Sequence, residues 1–280
     1  MPKLLVQLSD THIRLPGQLA YRRVDTAALL AQAIVSVLAL PQAPVAVVVT
    51  GDLTDFGRPA EYTHLRALLA PLACPVYLMP GNHDDRAALR RAFPEHDWLQ
   101  QSGEAFLQYA VDLGGLRLIA LDTSVTKAPH GELGPAHLAW LDAALAADRT
   151  TPTIVAMHHP PFATGIAHMD RIGLTKGAGE LEALLREHRN IERIVCGHLH
   201  RSIQARFANT FASTCPSPAH QVALDLRPDG PSAYRMEPPG YQLHVWVDGR
   251  LVTHTGVFGQ YAGPYPFHGA AGALLDGVAG

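Results

Sequence analysis

Five short apolar runs in this sequence each lead directly into side chains that can bind a metal ion. The runs cover residues 4–8, 45–49, 76–79, 154–157 and 191–196. Continuous apolar runs of this length are typical of strands that are buried on both faces of a sheet. In open α/β sheets the carboxyl ends of parallel strands share one edge, and ligands bind beyond that edge. We therefore expect the polar side chains that follow these five strands to meet in a single site.

The polar motifs that follow the runs offer nitrogen and oxygen donors. In chain order they are Ser9-Asp10-Thr11-His12, Gly51-Asp52-Leu53-Thr54-Asp55, Gly81-Asn82-His83-Asp84, His158-His159-Pro160-Pro161 and Gly197-His198-Leu199-His200. Taken singly, each motif has an ordinary explanation as a helix cap, a turn or a rigid exit loop. Taken together, in order and each after a buried strand, they favour a shared metal site. Imidazole, carboxylate and amide oxygen ligands suit Mn, Fe, Co or Zn.

Helical segments separate many of the apolar runs, and a sixth run covers residues 116–121. One helix is predicted to begin at Asp25 or Thr26, either of which can cap it, and to run toward Leu40. Further helices are predicted over residues 59–69, 135–147 and 179–188, the first two of which begin with proline. Alternating strands and helices favour an α/β sandwich.

The pattern changes after Cys196. Strands are predicted over residues 207–212, 221–226, 242–247 and 251–256, without strong helices between them. The Asp248-Gly249 pair predicts a hairpin turn between the last two strands. We expect a core over residues 1–215 whose last strands continue to about residue 258. Residues 216–280 then supply the C-terminal strands, a cap or dimerisation hairpin, and an irregular tail rich in Gly, Pro and Ala.

Composition excludes several classes of partner. The 280 residues are 48% hydrophobic and 17% charged, which supplies ample material for a buried core. A formal net charge of −3 argues against a groove for long nucleic acid. The chain has no apolar stretch of ~18 residues, the length of a membrane span, so we expect no membrane partner. Its cysteines, Cys74, Cys196 and Cys215, form no disulfide pattern, which favours a reducing cytoplasmic location.

The order DxH, GDxxD, GNHD, HHPP and GHLH resembles the motif set of the calcineurin-like metallophosphoesterase superfamily. It is most similar to the class III cyclic nucleotide phosphodiesterase and glycerophosphodiesterase branch. The resemblance covers roughly residues 4–200 and includes the MDRIGL stretch at residues 169–174. It implies a four-layer αββα sandwich with a small C-terminal β cap or dimerisation element. It also implies a dinuclear-metal hydrolase that cleaves small phosphodiesters by attack of metal-bound hydroxide on phosphorus.

The resemblance implies that seven of these side chains hold two metal ions. They are Asp10, His12 and His200 for the first metal, Asn82, His159 and His198 for the second, and Asp52 as the bridge. His158 is then expected to pack or to support the site. The favoured cofactors are two divalent or mixed-valence Mn or Fe ions, with Co or Zn as alternatives. Two dications opposed by two carboxylates keep positive charge for a substrate phosphate.

The resemblance also gives His83 a catalytic role beside the metals. Together with Asn82 it would bind the substrate phosphate, and it would protonate the leaving alkoxide. A neighbouring carboxylate, Asp55 or Asp84, would hold its ring in position, and the family pattern favours Asp55.

Two further groups of residues have open roles. Arg14, Tyr21, Arg22 and Arg23 follow the first motif and could line a pocket or form a solvated loop. His168, Met169 and His220 could lie near the substrate, although a surface or packing role is favoured for them.

The alternative enzymes are a phosphomonoesterase or a nucleotide pyrophosphatase with the same metal site. The alternative outside enzymology is a scaffold that uses the fold as a binding surface, although the presence of Asn82 and His83 counts against it. The expected partners are a small phosphodiester and further copies of the chain, in a homodimer or a larger homo-oligomer.

Overall fold

The structure, a computed structural model, describes residues 2–103 and 105–268. This part of the chain contains fifteen strands and seven helices. The strands are β1 (Lys3–Leu8), β2 (Ala46–Thr50), β3 (Val76–Met79), β4 (Tyr109–Asp112), β5 (Arg117–Leu121), β6 (Gly131–Glu132), β7 (Thr153–Met157), β8 (Leu174–Lys176), β9 (Ile191–Cys196), β10 (Ile203–Phe207), β11 (Thr210–Thr214), β12 (Gln221–Val222), β13 (Tyr234–Arg235), β14 (Gly240–Val247) and β15 (Arg250–Val257). The helices are α1 (Thr26–Leu38), α2 (Pro59–Leu69), α3 (Arg86–Ala92), α4 (Asp97–Gln101), α5 (Pro135–Ala146), α6 (Ala167–Asp170) and α7 (Ala178–Arg186). Within the described ranges, every helix is too short or too polar to cross a lipid bilayer.

Two large sheets organise the fold, and each has a parallel centre. The first sheet has the order β15-β14-β1-β2-β3, in which β1, β2 and β3 are parallel and β14–β15 is an antiparallel hairpin beside β1. The second sheet has the order β10-β11-β9-β7-β5-β4, with β11, β9, β7 and β5 parallel to their neighbours in that run. The carboxyl ends of the parallel strands therefore form one edge in each sheet.

Alternating side chains of the second sheet enter two different cores. Leu118, Ala120, Ile154 and Ala156 pack in the same buried cluster as β1, β2 and β3 and helices α1, α2 and α3. Their neighbours along the strands, such as Val155, pack in a second cluster with α5 and α7. Successive residues of a strand face opposite sides of a sheet, so the two sheets stack face to face with helices outside each. The predicted four-layer αββα sandwich is confirmed.

The apolar spacing of α1 illustrates how the outer layers form. Leu30, Ala33, Ile34 and Val37 are buried, and they recur at the three- and four-residue spacing of one helix face. Asp25 caps this helix, because its carboxylate accepts a hydrogen bond from the Ala28 amide at 3.0 Å.

Three of the predicted elements, over residues 59–69, 76–79 and 191–196, have the predicted bounds. The prediction of one strand over residues 207–212 is wrong, because the chain turns between β10 and β11. Ala208 takes a left-handed conformation there, with φ 51°. The strand predicted over 221–226 is limited to the two residues of β12, and helices α3 and α4 were not predicted.

The C-terminal hairpin β14–β15 extends the first sheet through the antiparallel pairing of β14 with β1. Between β11 and β14, the described chain forms only the short antiparallel pair β12–β13. The predicted irregular tail lies partly outside the described residues, since its last twelve positions, 269–280, are not described.

Candidate metal centre

The loops that follow β1, β2, β3, β7 and β9 meet at one edge of the two stacked sheets. Backbone hydrogen bonds link the first two loops, from Asp10 N to Gly51 O at 3.0 Å and from His12 N to Asp52 O at 3.0 Å. The loops after β7 and β9 are joined by a bond from Gly197 N to His158 O, also 3.0 Å long. The structure therefore brings the five motifs together in space.

Two buried carboxylates tie the remaining loops to this edge. The His198 amide donates to Asp10 Oδ1 at 2.9 Å, and the His83 amide donates to Asp52 Oδ1 at 2.9 Å. Gly81 lies so close to Asp52 that a Cβ at this position would collide with its carboxylate. Glycine is therefore required there for the loop after β3 to approach the loop after β2.

Backbone strain is concentrated at this edge. Five of the candidate ligand residues have a positive φ: Asp10 at 55°, His12 at 43°, Asp52 at 49°, His198 at 69° and His200 at 52°. Side chains with a Cβ rarely adopt this conformation, which costs of order 1–3 kcal/mol per residue. Such strain is typical of functional sites, where it directs side chains toward one point.

The first cluster contains Asp10, His12 and His200, and it also touches Asp52. The two Nε2 atoms of His12 and His200 lie 3.2 Å apart. His200 Nε2 is 3.5 Å from Asp10 Oδ1, and His12 Nε2 is 3.6 Å from Asp52 Oδ2. Donors that surround a transition metal at about 2.0–2.2 Å are separated from each other by about 3.0–3.5 Å. The spacing of these four side chains fits the ligand shell of one metal ion.

The second cluster contains Asn82, His158 and His198, and it touches the other oxygen of Asp52. His158 Nε2 lies 3.1 Å from Asn82 Oδ1 and 3.4 Å from Asp52 Oδ1. His198 Nε2 is buried and has no hydrogen-bond partner among the described residues. A buried, unpaired imidazole nitrogen is costly unless an ion occupies the space in front of it. Because its two oxygens face different clusters, Asp52 has the geometry of a bridging ligand.

His159, which the sequence analysis assigned to the second metal, is placed differently. Its Nδ1 lies 2.8 Å from Thr123 Oγ1 and its Nε2 lies 3.3 Å from the Pro129 carbonyl oxygen. The ring lies within 4.8 Å of the donor atoms of His158 and His198, but both of its nitrogens already have partners. The geometry therefore favours His158, whose Nε2 lies 3.4 Å from Asp52 Oδ1, over His159 as a ligand of the second metal.

The alternation of side chains along β7 explains why His158, and not His159, faces Asp52. Ala156 belongs to the core between the sheets and Met157 to the core under the helices. Continued alternation directs His158 between the sheets, where Asp52 lies, and His159 toward the helix side.

Three of the imidazoles are oriented through their second nitrogen. His158 Nδ1 lies 2.8 Å from the Thr50 carbonyl oxygen, and His200 Nδ1 lies 2.9 Å from the His220 carbonyl oxygen. A carbonyl oxygen can only accept, so each Nδ1 carries the proton. His12 Nδ1 lies 3.3 Å from Asp55 Oδ1. Metal-binding histidines usually donate from one nitrogen to a carbonyl or carboxylate and bind through the other. With one proton held on Nδ1, each Nε2 can give its lone pair to a metal ion, which then takes the place of any second proton.

The buried carboxylates and imidazoles of the two clusters shift one another's pKa. Burial, reinforced by the Asp52 carboxylate, raises the pKa of Asp10 to about 6 against the attraction of His158. Burial opposes protonation of His158, but the Asp52 and Asp10 carboxylates and the Thr50 carbonyl together outweigh it and raise the pKa to about 9. Burial lowers the pKa of His198 to about 3, so this imidazole is neutral at pH 7. Because metal binding requires a neutral imidazole, a cation at this site would displace the His158 proton and take over its contact with the Asp52 carboxylate.

His83 lies beside the two clusters, and its ring is stacked edge-on against His12 with 4.7 Å between centroids. Its Nδ1 donates to the main-chain oxygen of Asp55 at 2.8 Å, whereas the Asp55 carboxylate is 3.9 Å away. That carboxylate instead contacts His12 and forms an ion pair with Arg14 at 2.9 Å. The main-chain oxygen of Asp55 therefore orients His83. The Asp55 carboxylate, which was expected to orient His83, orients His12 instead.

The Asp84 carboxylate, the other candidate for orienting His83, binds main-chain amides and a tyrosine. It accepts hydrogen bonds from the amides of Leu53 and Gly81 and from the Tyr62 hydroxyl. These contacts join the loops after β2 and β3. The Asp84 carboxylate therefore stabilises the loops and does not orient His83.

A cavity of about 410 Å³ opens above the two clusters. Its floor includes His12, Asp52, Asn82, His83, His198 and His200. Its wall includes Tyr21, His220 and Tyr234, whose rings lie within 5.2 Å of one another by centroid distance.

Sequence reasoning missed most of this wall. His168, Met169 and His220, for which surface or packing roles were favoured, all line the cavity. Of the residues left open after the first motif, Tyr21 lines the cavity and Arg14 pairs with Asp55. Arg22 and Arg23 are exposed and do not line it.

Several known proteins are similar to this chain in sequence or in fold. Residues 4–202 match the family model described as calcineurin-like phosphoesterase. A probable glycerophosphodiester phosphodiesterase GpdQ of Arcobacter nitrofigilis is 38% identical over 274 residues, which cover 98% of this chain and 100% of that protein. A probable cyclic nucleotide phosphodiesterase of Rhodopseudomonas palustris is 37% identical over 265 residues, 92% of this chain and 93% of that one. The fold is similar to that of a dimetal phosphatase from Danio rerio, with a TM-score of 0.62, 15% identity, and coverage of 92% and 99%.

Proposed function

Because the chain belongs to the calcineurin-like phosphoesterase family, we propose that it is a two-metal hydrolase of small phosphodiesters. Relatives named as glycerophosphodiester and cyclic nucleotide phosphodiesterases support these two substrate types. One observation carries the proposal: the two oxygens of Asp52 face separate clusters of buried imidazoles at the floor of a 410 Å³ cavity.

The proposed ligands form two sets that share one carboxylate. They are Asp10, His12 and His200 for the first metal, Asn82, His158 and His198 for the second, and Asp52 as the bridge. The nitrogen and oxygen donors favour Mn or Fe, with Co or Zn as alternatives. Two metals in such a site supply an activated water and positive charge for the phosphoryl oxygens.

The side chains beside the ligands bind and orient the ester. The Asn82 and His83 side chains face the cavity where a phosphate would lie above Asp52. His83 is fixed through Nδ1, so its Nε2 is free to hold a proton for the departing alkoxide. An ester with a poor leaving group requires such an acid, because the alkoxide is otherwise expelled at high cost.

The cavity wall favours a small substrate. Tyr21, His220 and Tyr234 close one side with aromatic surface, which suits a sugar or a base more than a polymer backbone. The formal net charge of −3 also argues against a polynucleotide.

A substrate panel tests the proposal. Purified chain, reconstituted with Mn²⁺, is assayed on a glycerophosphodiester, a 3′,5′-cyclic nucleotide and the corresponding monoesters. We expect kcat/KM for at least one diester to exceed that for every monoester by about tenfold or more. Faster hydrolysis of the monoesters would refute the diesterase assignment and favour a phosphomonoesterase.

Two further proposals concern the state of the protein in the cell. We propose a homodimer or larger homo-oligomer, which sedimentation velocity would test. We also propose a reducing cytoplasmic location, which the free thiols of Cys74, Cys196 and Cys215 support.

A further inference from the structure

A second cavity, of about 490 Å³, adjoins the candidate metal centre. It shares Asn82 and His83 with the first cavity and is otherwise lined by different segments of the chain. Those segments are the loop after β2, the start of α3 and the loop after β5, which contribute residues 56–57, 84–87 and 124–127. Nothing in the proposed two-metal chemistry requires this space.

We propose that the second cavity binds one alcohol arm of an acyclic phosphodiester, while the other arm occupies the first cavity. The inference rests on the proposed function and specifies its substrate class. The arm is a short, hydroxyl-bearing alcohol such as a glyceryl group.

His83 lies where the two cavities meet. Its amide donates to Asp52 Oδ1 at 2.9 Å, and its partly exposed ring lines both cavities. Asn82, whose side-chain oxygen faces His158 Nε2 at 3.1 Å, also lines both. A phosphorus atom held above Asp52 is therefore at the junction of the two spaces. A tetrahedral phosphodiester has two ester oxygens that diverge, and the junction offers a separate direction to each.

The polar groups of the second cavity suit hydroxyls. Lys127 and Thr126 are exposed at its wall and supply an ammonium and a hydroxyl donor. Lys127 has a φ of 62°, a left-handed conformation that is uncommon for a lysine and recurs at binding sites. Arg86, the other cation of the wall, is held by Asp122, with an Nε to Oδ2 distance of 2.6 Å. The Arg86 guanidinium is therefore occupied by this ion pair, whereas the Lys127 ammonium can reach a ligand.

Apolar surface completes the cavity. The Phe56 ring is 54% exposed, and the guanidinium of Arg14 stacks on it with 4.4 Å to the ring centroid. Ala87 and Ala105 present only methyl groups, which leaves room for a three-carbon arm. The volume and the mixture of donors with apolar surface fit a glyceryl group.

A cyclic nucleotide differs from an acyclic diester in the number of separate arms that it presents. Both ester oxygens of a 3′,5′-cyclic phosphate belong to one ribose, so the molecule is a single body that occupies one cavity. Changes in the second cavity are therefore expected to affect acyclic diesters and to spare cyclic ones.

The test uses two variants of different kinds and a matched control. Lys127→Ala removes the ammonium, and Ala87→Trp fills the space from an exposed position of α3. Lys176→Ala, on β8, removes an exposed lysine that lines neither cavity. Each full-length protein, loaded with Mn²⁺, is assayed on bis(glyceryl) phosphate. Because both arms of this diester are identical, one must lie in the second cavity whichever arm leaves. 3′,5′-cyclic AMP is measured in parallel as substrate or as competitive inhibitor.

We expect Lys127→Ala and Ala87→Trp each to raise KM for bis(glyceryl) phosphate about tenfold, with kcat within about twofold. KM or Ki for cyclic AMP, and all constants of Lys176→Ala, should stay within about twofold of the parent. Equal changes for both ligands, or no change for either, would overturn the second-cavity assignment. Hydrolysis of cyclic AMP alone by the parent chain would overturn it as well. If the parent hydrolyses neither diester, the proposed function itself fails.

Discussion

Replacing His158 and His159 one at a time tests the different roles that we propose for these two adjacent histidines. His158→Ala removes a side chain whose Nε2 lies 3.4 Å from Asp52 Oδ1. His159→Ala removes one whose two ring nitrogens contact Thr123 and Pro129. We expect the first change to weaken metal binding and the second to weaken the fold.

The size of the metal effect follows from the contacts of His158. Loss of a residue that only supports a metal ligand reduces metal affinity about 10–100-fold. Loss of a direct ligand should cost at least the upper end of this range, about 100-fold or about 2.7 kcal/mol. The first metal keeps Asp10, His12, His200 and Asp52, so its affinity should change much less.

The size of the stability effect follows from the contacts of His159. Its ring makes hydrogen bonds of 2.8 and 3.3 Å, each of which contributes about 0.5–1.5 kcal/mol. With some lost packing, the free energy of unfolding should fall by about 2 kcal/mol, which lowers Tm by roughly 3–4 °C in a chain of 280 residues. Metal affinity should stay within about threefold of the parent.

Calorimetric titration of metal-stripped protein with Mn²⁺ gives the stoichiometry and affinities, and scanning calorimetry of the metal-free forms gives Tm. The parent and His159→Ala should bind two equivalents, and His158→Ala should bind one at the concentrations that saturate the parent. Two tight equivalents in His158→Ala together with one in His159→Ala would refute the reasoning and restore His159 as the ligand.

Three further changes test individual contacts. His83→Ala should slow alkyl diesters about 10²–10³-fold and p-nitrophenyl diesters less than tenfold, because only alkoxides need the acid; equal slowing in steady-state assays would count against that role. Asn82→Ala should weaken the second metal in a Mn²⁺ titration by elemental analysis, and unchanged binding of two metals would contradict its assignment. Arg201 holds the cavity wall through Glu237 at 2.6 Å and the Val222 carbonyl at 2.8 Å. Arg201→Ala should therefore raise KM about 3–10-fold with kcat retained; an unaltered KM would show that the wall does not need this clamp.

The parallel strands of both sheets could be predicted because their residues are apolar on both faces. The run over residues 76–79, for example, is too short to be explained as a helix. The convergence of the motifs follows from the same strands, since parallel strands end at one edge. The helices of the outer layers were predictable where capping residues and apolar spacing agreed, as at Asp25 and Pro59.

The choice between His158 and His159 depends on the phase of β7, which its sequence does not reveal because the strand is apolar and buried on both faces. Ala156 and Met157 alternate between the two cores, and continuing this alternation by one residue selects His158. Motif spacing alone did not distinguish the two, because adjacent histidines satisfy the same pattern. The phase of the strand carried the missing information.

The cavity wall was predictable only in part: Tyr21 could be named as a candidate pocket residue, but its meeting with His220 and Tyr234 could not be predicted. Tyr21, His220 and Tyr234 come from segments far apart in the chain, and none follows a buried strand of the motif set. Their meeting depends on tertiary contacts such as the pairing of β12 with β13. The strand predicted over 207–212 failed for a local reason, because Ala208 adopts a left-handed turn conformation that its side chain gives no reason to expect.

The most direct test of two-metal diester hydrolysis is to measure activity and bound metal on the same samples. Metal-stripped protein is titrated with Mn²⁺, and each sample is assayed on bis(p-nitrophenyl) phosphate and then analysed for metal per chain. We predict no hydrolysis without metal, little at one equivalent and full activity at two. Full activity in samples shown to be free of metal, or at one equivalent with no further gain, would contradict the account.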